Sequence, residues 1–154
     1  MARIVHPVAG ALAMLTIATF WLSTVLSELF GSQTVVASVK TAIPWGFLLL
    51  VPSLAAAGGS GFALARERRG AALVASKMKR MRIIAGNGIL ILIPSALFLA
   101  SKATAGQFDA AFYAVQALEL VAGATNLALL GLNMRDGLKL SGRLGRRRIS
   151  QTQS

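Results

Sequence analysis

The chain contains no cysteine and a single histidine, which excludes several classes of site at once. Without thiols it forms neither disulfides nor thiolate-ligated zinc or iron–sulfur sites. Acidic residues are scarce too, with five Asp and Glu against sixteen Lys and Arg, which leaves little for metal-assisted hydrolysis. The HExxH and Walker patterns are missing, as is a serine–histidine–acid set. We therefore expect no enzymatic activity and no metal site.

Charge of either sign is rare, whereas apolar residues are abundant. Charged residues make up 14% of the 154 and hydrophobic residues 55%, while a typical soluble domain is about 25% charged. This composition predicts an integral membrane protein and excludes an ordinary soluble domain.

Four apolar stretches are long enough to cross a hydrocarbon core of about 30 Å, which takes about 20 helical residues. We predict an all-α protein whose four transmembrane helices form an antiparallel bundle within residues 1–137, followed by a basic tail at 138–154. The first span is expected to remain as a helix rather than be cleaved, because its uncharged run exceeds the usual signal-peptide core of about 7–15 residues. The predicted spans are residues 7–28, 42–65, 83–101 and 109–134.

The distribution of Lys and Arg predicts the orientation. Fourteen lie in the N-terminal segment, the loop between spans two and three, and the C-terminal segment, against Lys40 and Lys102 in the other two loops. Because basic residues stay on the cytoplasmic side, both termini are expected to face the cytoplasm of a bacterial-type inner membrane. The basic segments are expected to contact its anionic inner leaflet rather than nucleic acid. The predicted membrane-surface residues are Arg66, Arg68, Arg69, Lys77, Lys79, Arg80, Arg82, Arg146, Arg147 and Arg148.

The fourth span carries a polar stripe, and Asp109 is expected to cap its start. Residues at spacings of three, four, three and seven share one helical face. That face is expected to point into the bundle, because an amide or carboxylate facing lipid lacks partners. The stripe consists of Gln116, Glu119, Gly123, Asn126 and Asn133.

Glu119 differs from the other members of the stripe, because an ionisable group at mid-depth is costly and usually functional. The amides are expected to form interhelical hydrogen bonds, and Asn87 and Gln116 are the donors nearest to Glu119 in depth. We expect a polar pocket that opens toward the cytoplasm near the glycines at 58–61. The candidate ligand-binding or proton-binding residues are Glu119, Asn126, Gln116, Asn87 and His6.

Three functions fit these features. The first is a non-enzymatic membrane protein that assembles with itself or with a larger membrane complex, with a pocket that is structural or binds lipid. Small residues that permit close helix approach favour a dimer: Ala55, Gly59, Ala63, Ala114 and Ala117. The second is a proton-coupled transporter of a small cation, in which Glu119 cycles between protonated and charged states. The third is a b-type haem protein with His6 as an axial ligand, and otherwise no cofactor is expected.

Overall fold

The computed structural model describes the backbone of residues 1–67 and 72–140, with the side chains of these residues apart from 2–3, 65–67, 72–74 and 139–140. Within this part the chain is all-helical and has no strands, which confirms the predicted helical class. The elements are α1 (Ala2–Phe30), α2 (Gln33–Glu67), α3 (Ala72–Asn87), a π-helical turn (Gly88–Leu92), α4 (Ile93–Thr104) and α5 (Ala110–Leu140).

Four helical stretches are long and apolar enough to cross a membrane, as predicted. Helices α3 and α4 form one of them together with the π-helical turn between them. Each stretch is longer than the uncharged run that predicted it, because the helices continue past charged residues. The four stretches are Ile4–Phe30, Gln33–Leu64, Ala75–Thr104 and Ala110–Leu138.

Two predicted loops prove shorter than the distribution of charge implies. Helix α2 begins at Gln33, so Lys40 lies within a helix and not in a loop. Helix α3 begins at Ala72, so four of the basic residues assigned to the membrane surface project from a helix instead. A charged residue does not end a helix when its side chain finds a partner or reaches the surface. Those four residues are Lys77, Lys79, Arg80 and Arg82.

The π-helical turn changes which face of the third stretch is buried. Pro94 has no N–H, so it cannot bond to the carbonyl of Leu90 as an α-helix requires. Just before it, the N–H of Ile93 reaches back to the carbonyl of Gly88, which closes a wider turn. Asn87 thus contacts α5 before the turn, while Leu99 is fully buried after it.

Helix α1 packs along α2, and α5 contacts α1, α3 and α4. One apolar core joins all four stretches and consists of Ala13, Ile17, Leu50, Ile84 and Leu130. A second core consists of Val36, Leu99, Ala103 and Phe112. We call the end of the molecule with His6 and Asp136 the His6 end, and the end with Lys102 and Asp109 the Lys102 end.

Asp109 caps α5 at the Lys102 end, as predicted. Its Oδ1 accepts a hydrogen bond from the Phe112 N–H at 3.0 Å, and its Oδ2 accepts one from Lys102 Nζ at 2.6 Å. These two donors, Lys102 first, lower the pKa of the Asp109 carboxyl. The capping bond satisfies one of the amides that the first turn of a helix leaves free.

Candidate functional site

A buried ion pair joins α2 to α5. Lys40 is fully buried, and its Nζ lies 2.5 Å from Glu119 Oε2. The same ammonium donates a hydrogen bond to Thr24 Oγ1 on α1 at 3.3 Å. Three helices therefore meet around a single buried cation, at a depth of about 10 Å from the start of α2 at 1.5 Å per residue.

Two further polar side chains complete this group. Glu28 lies one helical turn after Thr24 and interacts electrostatically with both Lys40 and Glu119. Its Oε1 is buried, and so are both amide atoms of Gln116, three residues before Glu119; none of these three atoms has a hydrogen-bond partner among the described residues. We call Thr24, Glu28, Lys40, Gln116 and Glu119 the charged cluster.

A partly open cavity of about 50 Å³ borders the charged cluster. This volume exceeds the roughly 10–15 Å³ that a single water requires. Thr24 and Glu119 of the cluster line the cavity, and the other lining residues are three aromatic residues, six aliphatic residues and a glycine. The lining consists of Ile17, Phe20, Trp21, Thr24, Ile43, Phe47, Leu50, Leu92, Ala96, Glu119, Leu120 and Gly123.

The aromatic rings are held in place by contacts that depend on glycine. Trp21 Nε1 donates a hydrogen bond to the Leu120 carbonyl at 2.9 Å, and a Cβ at Gly123 would lie 3.0 Å from the indole. A Cβ at Gly46 would overlap the ring of Phe20. Phe20 meets Phe47 edge to face, with ring centroids 6.3 Å apart. Both glycines therefore allow an aromatic side chain to approach a neighbouring helix closely.

A second polar group, which we call the amide clamp, joins α3 to α5 through Asn87 and Asn126. Asn87 Nδ2 donates to Asn126 Oδ1 at 2.8 Å and to the Ala122 carbonyl at 2.9 Å. Asn126 Nδ2 donates in turn to the Ile84 carbonyl at 3.3 Å. Asn126 is 2% exposed, so these bonds satisfy amide groups that lie out of reach of water.

At the His6 end, the histidine bridges three helices. Its Nδ1 lies 2.9 Å from the Ala57 carbonyl on α2, and its Nε2 lies 3.1 Å from Lys77 Nζ on α3. A carbonyl only accepts and an ammonium only donates, so Nδ1 carries the proton and the imidazole is neutral. A Cβ at Gly61 would lie 2.9 Å from the ring, so the glycine makes room for it.

Close by, Arg80 pairs with a buried carboxylate of α5. Its Nη1 lies 2.6 Å from Asp136 Oδ2, and Asp136 is almost wholly buried. Lys77 and Arg80, which were predicted to lie on the membrane surface, thus make contacts between helices instead, whereas Lys79 and Arg82 are exposed. The other predicted surface residues lie outside the described side chains: Arg66, Arg68, Arg69, Arg146, Arg147 and Arg148.

The site residues predicted from the sequence therefore do not form a single site. Glu119 pairs with Lys40, so the expectation that Asn87 or Gln116 is its donor is wrong. The interhelical hydrogen bonds predicted for Asn87 and Asn126 are confirmed. The cavity lies next to Glu119, and its lining does not include Asn87, Asn126 or His6. The amides of those two asparagines bond to each other and to backbone carbonyls, away from the cavity.

Within the part of the chain that the structure describes, no three acidic or histidine side chains lie together as metal ligands. Comparison with known proteins finds no family model, no curated protein and no solved structure that matches this chain.

Proposed function

We propose that this chain is a small non-enzymatic transporter that exchanges protons for a small cation across a bacterial-type inner membrane. One observation carries the proposal. Glu119 is among the residues that line a cavity between the helices, and a fully buried lysine on another helix balances its charge. Ionisable residues inside membrane spans are costly, and they typically mark ion pathways and proton relays.

For the architecture, we propose an antiparallel four-helix bundle with both termini on the cytoplasmic side. The contacts between α1 and α2 support the antiparallel arrangement of these two helices. His6, near the start of α1, contacts Ala57 in the second half of α2, whereas Thr24, near the end of α1, contacts Lys40 in the first half of α2. The orientation rests on the excess of basic residues near the His6 end. Because Lys40 belongs to a helix, the loops of the opposite side hold even fewer basic residues than the sequence implied.

In this mechanism Lys40 acts as a cation tethered to the protein. When the cavity holds no substrate, its ammonium neutralises Glu119. A substrate cation that reaches the cavity competes with the Lys40 ammonium for the same carboxylate, and the added positive charge favours the loss of a proton from the cluster. Release of a proton when a cation binds is the simplest basis for coupled exchange in opposite directions.

The cavity beside the buried ion pair favours transport over an assembly role. A helix–helix contact requires neither a cavity beside the charges nor unpaired polar atoms around them. The haem alternative gains no support from the geometry, because both ring nitrogens of His6 lie within hydrogen-bonding distance of protein groups.

The test uses purified protein in liposomes that are acidic inside and contain a pH-sensitive dye. Sodium, potassium or tetramethylammonium chloride is then added outside. We expect at least one of these cations to raise the internal pH, and Glu119→Gln to abolish the rise. Asp109→Asn is the matched control, because it removes a carboxylate that lies outside the cavity lining. A Glu119→Gln protein as active as the unmodified one would show the proposal to be wrong.

Self-association is a second proposed property, and it is compatible with the first. Ala55, Gly59 and Ala63 lie at four-residue spacing on α2, and all three are exposed in the single chain. Small residues at this spacing allow two transmembrane helices to approach closely. We expect a dimer in detergent by light scattering, and a monomer for Gly59→Leu. A monomeric unmodified protein would contradict this proposal and leave the transport assay unaffected.

A further inference from the structure

The cavity combines a carboxylate with aromatic rings, which is a combination suited to one kind of cation. Phe20, Trp21 and Phe47 line it together with Glu119. Aromatic faces attract cations, and rings grouped around a site recognise methylated ammonium ions in particular. Metal ions such as Na⁺ prefer oxygen ligands instead, and the lining offers few of these. The lining thus favours an organic ammonium ion over a metal ion.

The charges of the cluster determine how many protons it holds. Glu28 and Glu119 carry two carboxyl groups, whereas Lys40 supplies one ammonium. Together these three groups are neutral only when one carboxyl holds a proton. Because an unbalanced charge within a membrane is costly, the cluster is expected to hold one proton, on Glu28, while Lys40 pairs with Glu119.

Resting on the transport function proposed above, we propose that the substrate is a small alkylammonium ion, which takes the place of Lys40 at Glu119. The displaced Lys40 ammonium moves to Glu28, and Glu28 releases its proton to water. The cluster is neutral before and after this step, because one positive charge enters and one proton leaves. The mechanism therefore fixes the exchange at one proton for each cation bound.

The location of Glu28 and its unpartnered buried oxygen make it the second site for the Lys40 ammonium. It lies one helical turn from Thr24, to which the Lys40 ammonium already donates, and it interacts electrostatically with Lys40. Its Oε1 is buried without a partner among the described residues, so an acceptor is available there. Glu28 is also near the end of α1, three positions before Gly31, which gives its proton a short route to the Lys102 end.

Isothermal titration calorimetry tests this inference on the purified protein with tetramethylammonium chloride as the probe. Titrations in two buffers that differ in ionisation heat count the protons released for each cation bound. We expect one proton per cation. Phe20→Leu should weaken binding about tenfold through the loss of a cation–π contact. Phe30→Leu on the same helix is the matched control, since Phe30 is exposed and lies outside the cavity lining.

Glu28→Gln should release no proton and bind tetramethylammonium at least tenfold more weakly, whereas Glu28→Asp should keep the release of one proton. One proton released by a folded Glu28→Gln protein would overturn the role of Glu28. Absence of binding heat for tetramethylammonium would overturn the substrate class. If sodium or potassium still drove proton exchange in liposomes, the transport function would stand without this inference.

Discussion

The charged cluster and the amide clamp both place polar side chains inside the membrane-spanning helices, yet they differ in how well those side chains are satisfied. Both amides of the clamp make interhelical hydrogen bonds, to each other and to carbonyls. The charged cluster holds three buried atoms without partners among the described residues, and it borders a cavity. Satisfied amides stabilise helix packing, whereas the charged cluster combines unsatisfied buried atoms with a cavity that Thr24 and Glu119 line.

The largest expected effect comes from Lys40→Met. This change leaves the Glu119 carboxylate without its ammonium, so we expect the free energy of unfolding to fall by about 3–5 kcal/mol. Denaturation by sodium dodecyl sulfate in mixed micelles measures it. The double variant Lys40→Met with Glu119→Gln should recover most of the loss, because no charge then remains unpaired. Equal instability of the single and double variants would show that the ion pair is not the cause.

Gly46→Ala should have the next largest effect. The added Cβ would overlap the Phe20 ring, so the ring must shift at the cavity wall. We expect a loss of stability of about 1–3 kcal/mol from overpacking, together with proton exchange at least tenfold slower in liposomes. Gly58→Ala is the matched control, because a Cβ there meets nothing within 4 Å. Unchanged exchange in a folded Gly46→Ala protein would argue against this cavity as the binding site.

Asn126→Ala tests the amide clamp. It removes the hydrogen bonds that Asn126 makes with Asn87 and with the Ile84 carbonyl. At about 0.6 kcal/mol for each interhelical bond, the loss of stability should be about 1 kcal/mol, with proton exchange unchanged. Thr125→Ala, on the exposed face next to it, should cost less than about 0.5 kcal/mol. A large loss of exchange would assign the amide clamp to the transport machinery.

Asp109→Asn should have the smallest effect, since this residue is exposed. The pKa of Asp109 is lowered in the folded protein by Lys102 and by the Phe112 N–H. A lowered pKa means that the ionised carboxylate stabilises the protein above its unfolded-state value of about 3.9, and that this stabilisation disappears as pH falls through the folded-state pKa. The thermal unfolding temperature of Asp109→Asn should therefore be slightly lower than that of the unmodified protein at pH 7. The unfolding temperatures of the two proteins should become equal at pH values below the folded-state pKa of Asp109.

Much of the fold follows from the sequence, because a bilayer imposes simple rules of length and polarity. The four spans, the buried stripe on α5 and the Asp109 cap all appear where those rules place them. The interhelical bond predicted for Asn126 also forms. The same prediction is wrong for Gln116 and Asn133, whose amides have no partner among the described residues. Helical periodicity shows which face a residue occupies, but not what lies opposite.

Lys40 shows why the site itself was harder to predict. The spans were predicted as stretches without charged residues, and this rule places every lysine in a loop. The rule that predicts the helices therefore cannot predict a lysine inside one of them. Its partner lies 79 positions away on another helix, beyond the reach of any local pattern. One feature of the sequence does point to Lys40, because a buried carboxylate needs a cation as its partner. Lys40 and Lys102 are the only basic residues between predicted spans one and two or between predicted spans three and four.

The position of Trp21 gives this protein an intrinsic fluorophore at its proposed site. The indole lines the cavity and donates to the carbonyl of Leu120, the residue directly after Glu119. The chain has one other tryptophan, Trp45, which is 75% exposed on the outside of α2. With Trp45 replaced by phenylalanine, the emission comes from Trp21 alone and reports the polarity next to Glu119. Occupancy of the cavity can then be followed in unlabelled protein, on the millisecond timescale of a stopped-flow instrument.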